Sequence, residues 1–191
     1  MRRGFVKKVI IGCFILLGIV VYLFLNNNPF SNDEIEQHVL SQQEYKLELL
    51  DQIVAMEIFV KPEWIPQKPN EELSIQEVVA TIEGNDILLE HVIYRENDIY
   101  FSFTTKNKLH RNGGVLIANQ MIESDGRMTA GKFMSELKLY TTMGKEITIG
   151  QMGIGPKFDF SFGIDLTDAS NIKQGFYVKN TSIMLYSYKK K

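Results

Sequence analysis

Between Val9 and Leu25 the chain reads VIIGCFILLGIVVYLFL, seventeen residues without a charge, an asparagine or a glutamine. At about 1.5 Å of rise per residue, such a helix reaches the lower limit for crossing the hydrocarbon core of a bilayer. Tyr22, near its far end, suits an interfacial position. The flanks orient it. Arg2, Arg3, Lys7 and Lys8 give residues 1–8 a charge of +4, whereas residues 9–60 carry seven acids against Lys46 alone, which is −6. Residues 61–191 hold sixteen acids and sixteen bases. The positive-inside rule therefore predicts a cytoplasmic tail over 1–8 and a transmembrane helix over 9–25, with Val9, Leu16, Val20 and Leu25 in the lipid. Everything after about Asn26 is expected outside the cell.

Three kinds of processing compete with an uncleaved signal-anchor. A cleavable signal peptide needs small residues after the apolar run, but Leu25 leads into Asn26-Asn27-Asn28-Pro29. Ile10-Ile11-Gly12-Cys13 resembles a lipobox, yet the long apolar run follows the cysteine instead of preceding it. Arg3-Gly4-Phe5 resembles the prepilin cleavage site of type IV pilins and pseudopilins, whose long helix and β-rich head match in outline. That family expects a glutamate where this chain has Val9, and Lys7 and Lys8 interrupt its apolar run.

Residues 26–70 are expected to form an acidic helical stalk and a proline-rich linker. Ser31 or Asn32 can cap a helix whose first turn holds Asp33 and Glu34. Ile35, Val39, Leu47, Leu50, Val54 and Ile58 then recur at steps of about three and four, with Gln43 in the gap, which is helical periodicity. The stripe suits either a seam that dimerises the chain through the stalk or packing on the chain's own head. Lys61-Pro62 stops the helix, and Pro62, Pro66 and Pro69 mark the linker. Trp64, the only tryptophan, is expected to pin that linker to the head.

Residues 71–191 read as a β-rich head. Ser74-Ile75-Gln76-Glu77 has capping-box spacing, with Gly84 as a helix stop. Val78, Val79, Thr81 and Ile82 read equally as a strand. Beyond Ile87 the period is two, with Arg95–Asp98 turning one hairpin and Met143-Gly144-Lys145 another. The clearest strand is Phe158 to Leu166, with Phe158, Phe160, Phe162, Ile164 and Leu166 on one face and Asp159, Ser161, Gly163 and Asp165 on the other. Such a strand belongs at the centre of a core. Short strands at regular spacing predict an antiparallel β-sandwich.

The hairpin ILLEHVIYRENDIYFSFTTKN and the late strand FDFSFGIDL give residues 85–188 a resemblance to the membrane-tethered, extracytoplasmic immunoglobulin-like domains of Gram-positive bacteria. The resemblance implies an immunoglobulin-like sandwich and transfers no site.

Chemistry is sparse. His38, His91 and His110 have no companion pattern for a metal, and Cys13 falls inside the apolar run. Gly150-Gln151-Met152-Gly153-Ile154-Gly155-Pro156 lacks dinucleotide-loop spacing and reads as a flexible loop. Asp159 and Asp165 are the acids an enzyme would draw on, but their separation is too large for a pair sharing one proton. No cofactor, no metal and no nucleic acid is expected, the last because the net charge is only −2. The residues singled out for interaction are Lys106, Lys108 and Arg111, a local basic cluster to which Lys189–Lys191 adds a second, and Met152. Methionines 121, 128, 134, 143 and 152 suit either irregular packing or an adaptable surface. The expected function is a non-enzymatic, single-pass module whose partner is an envelope protein or wall polymer; the rival is a pilin-like or secretion-apparatus subunit.

Overall fold

The structure, a computed structural model, describes residues 17–18, 31–155 and 159–191. The chain divides into two units, Met1–Ser31 and Asn32–Lys191. Val9, Leu16, Val20 and Leu25 lie outside the described residues. Among the described residues no helix is long and apolar enough to cross a membrane.

The second unit is mainly β. Helix α1 (Asn32–Leu40) opens with Asp33 and Glu34 in its first turn, as the sequence predicts, and ends after nine residues. Strand β1 (Tyr45–Val60) follows. The helical stalk expected across residues 26–70 is thereby corrected: β1 pairs along its length with the last strand, β12 (Phe176–Lys190), from Tyr45 opposite Lys190 to Val60 opposite Phe176. The apparent helical period has a physical source. The β1–β12 register slips between Leu49 and Ile53 and again between Val54 and Met56. Bulges add residues to one strand without advancing the pairing. Leu50, Val54 and Ile58 therefore meet the main core at steps of four, whereas Leu47 packs on a second core. Beyond the bulges, Met56, Ile58 and Val60 alternate as in any strand.

A turn of 3-10 helix (Pro62–Trp64) leads from β1 toward β2 (Glu72–Ile82), and Trp64 packs half-buried on the main core beside Ile65. Of residues 74–83, 74–82 are thus strand and Glu83 opens the following turn. Glu83 and Gly84, at φ 49° and 79°, make the two-residue turn into β3 (Asn85–Tyr94). β4 (Asp98–Lys106) completes the expected hairpin, with Tyr94 opposite Ile99. β5 (Gly113–Ala118) precedes a small hairpin of β6 (Gln120–Ile122) and β7 (Met128–Ala130). A single helical turn, α2 (Phe133–Glu136), leads to β8 (Lys138–Thr141) and β9 (Glu146–Ile147). β10 (Gln151–Ile154) and β11 (Phe160–Asp165) come before β12. Within the glycine-rich segment read as a loop, Gln151–Ile154 is corrected to a strand, and Pro156 lies outside the described residues. A Cβ at Gly150 would stand 2.5 Å from Asp165 Oδ1, and one at Gly153 would stand 2.9 Å from Ser161 Oγ. Glycine there admits the side chains of β11.

Two five-stranded antiparallel sheets result, an arrangement that fits a β-sandwich. One runs β1-β12-β8-β9 with β5 also beside β12, and the other runs β10-β11-β4-β3-β2. Aromatic rings knit the core between them. Phe103 stacks on Phe160 at 4.6 Å, and Phe101 on Phe162 at 5.3 Å. Phe176 of the facing sheet meets Phe101 edge-on at 5.1 Å. A second, smaller core on the outer side of β12 joins Ile35 and Val39 of α1 to Leu109, Leu116, Tyr186 and Tyr188.

Candidate functional site

The basic residues named from the sequence meet a second basic segment in space. Lys189 is paired with Gly113, the Lys190 amide donates to the Asn112 carbonyl at 3.4 Å, and Tyr188 locks onto His110. The loop carrying Lys108 and Arg111 and the tail Lys189–Lys191 thus share one end of the sandwich. Its positive charge is partly answered, however. Lys108 Nζ lies 2.8 Å from Asp86 Oδ2, and Lys190 Nζ lies 3.7 Å from Glu44 Oε2. Lys191 Nζ donates to the Gln42 carbonyl at 2.8 Å. The Lys108 hydrogen bond, followed by that of Thr81, holds the Asp86 carboxyl below its ordinary pKa. Met152 is elsewhere. It aligns with Phe162 and, one strand further, Phe101, whereas Lys106 stands opposite Asp86 at the far end of β4.

Met121 and Met184 line one cleft and Met134 and Met152 another, while Met128 packs on the second core and Met143 stands exposed on the β8–β9 turn. The first is a groove of about 320 Å³ at the β1 bulge, lined by Leu49, Leu50, Ile53, Met121 and Met184 with Asp51 and Lys132 among its polar residues. Leu49 is 51% exposed, Ile53 65% and Met121 41%, which makes this an apolar surface that nothing in the described residues covers. Leu49, Ile53 and Met184 were invisible from the sequence as a site, because a helical reading placed the first two on a stalk and Met184 belongs to the distant β12. The second cleft, about 500 Å³, lies where the two sheets' edges β9 and β10 stand apart; Met134, Leu137, Ile149 and Met152 line it, and the paired Lys138 and Glu146 also border it.

The acids do not assemble the chemistry of a known centre. Asp159 accepts a hydrogen bond from the Thr104 hydroxyl at 2.5 Å. Asp165 is paired in register with Asp98, a residue the sequence reading passed over, and Gln151 Nε2 donates to Asp98 Oδ2 at 2.8 Å. His91 Nδ1 stands 3.1 Å from Glu72 across the β2–β3 ladder. Among the described residues no group of three or more histidines, cysteines or acids is placed to hold a metal.

Comparison with protein-family models, with curated proteins and with solved structures finds no match to this chain.

Proposed function

We propose that this chain is a single-pass membrane protein, anchored through residues 9–25, whose extracytoplasmic head binds another component of the cell envelope. The immunoglobulin-like character of the head belongs to the same proposal. The observation that carries the binding role is the groove at the β1 bulge. A strand that alternates cleanly elsewhere leaves Leu49 and Ile53 in solvent beside Met121 and Met184. Exposed apolar side chains clustered in a concave site favour association, and methionine lets such a site adapt to its ligand. The partner in this reading is a protein presenting an apolar segment.

Photo-crosslinking from position 53 in intact cells tests the reading, with position 143 on the exposed β8–β9 turn as control. A discrete adduct from 53 alone supports it; equal, diffuse adducts from both positions count against it. Protease added to intact cells tests the topology, since a head digested only in inverted vesicles would place it in the cytoplasm. Intact mass of the native chain tests the tether. A new N-terminus at Phe5 would replace the signal-anchor by a processed, pilin-like assembly helix.

A further inference from the structure

We draw no further inference here: the strongest candidate, the polar cleft where Asp98 of β4 and Asp165 of β11 stand opposite one another beside Glu96, Asn97 and Gln151, is an acidic cluster whose buried Asp98 carboxylate already accepts a hydrogen bond from Gln151, and nothing else among the described residues there points to a ligand.

Discussion

The Tyr188 hydroxyl clasps the backbone of His110 in both directions, accepting from its amide at 2.6 Å and donating to its carbonyl at 3.1 Å. This contact joins the loop between β4 and β5 to β12. Tyr188→Phe removes both hydrogen bonds and leaves two backbone groups without them. Chemical denaturation of the full chain is expected to show a loss of about 1–3 kcal/mol.

The same residue predicts an alkaline limit. Burial raises the Tyr188 pKa above its ordinary value near 10, against the opposing hydrogen bond from His110. The folded protein therefore holds this proton at a pH where the unfolded chain has released it. The associated stability is present below about pH 10 and is lost as the pH rises from there through the folded-state value. Denaturation midpoints measured from pH 8 to 11 should fall above pH 10, and fall less steeply in Tyr188→Phe.

Asp86 predicts the opposite limb. Its pKa is lowered by the Lys108 and Thr81 hydrogen bonds, so its contribution is present above about pH 4 and lost as the pH falls through the lower folded value. Lys108 is well exposed, and Lys108→Met is expected to cost only about 0.5–1 kcal/mol at pH 7. Stability curves taken from pH 7 to 2 should show a shallower acid decline in the variant.

Gly175 is required by space as well as by conformation. Its φ is +81°, and a Cβ would stand 2.6 Å from both Phe59 Cζ and the Val60 carbonyl oxygen. Gly175→Ala is expected to destabilise by about 2 kcal/mol or more, because the β1 backbone cannot give way as a flexible side chain can. A thermal midpoint within a degree of the parent would contradict this.

Phe162 was legible as core from the sequence alone, and Phe162→Ala should cost about 3–5 kcal/mol. It is fully buried and touches rings from both sheets. The alternation from Phe160 to Ile164, the Arg95–Asp98 turn and the Met143–Lys145 turn all act over a few neighbouring residues, so local spacing exposed them. β1 was not legible for the converse reason. Its two bulges moved Leu50, Val54 and Ile58 to a spacing of four, and only its long-range partner β12 makes the extended form the stable one. Gly150 and Gly153 misled in a similar way, since what they accommodate is the side chains of Asp165 and Ser161 on β11, several residues later. Of the surfaces, Met152 and the basic loop were found by composition. Ile53 and Met184 needed the register to bring them together.

The pairing of β1 with β12 also sets an order of events in time. A chain delivered from its N-terminus exposes Leu49, Ile53, Ile58 and Phe59 long before Phe176–Lys190 arrives to pair with them. Local hairpins such as β3–β4 can close meanwhile, but the sheet built on β12 cannot, since β12 is the common neighbour of β1, β5 and β8. Such late, sequence-distant closure slows folding and leaves a sticky half-built state behind.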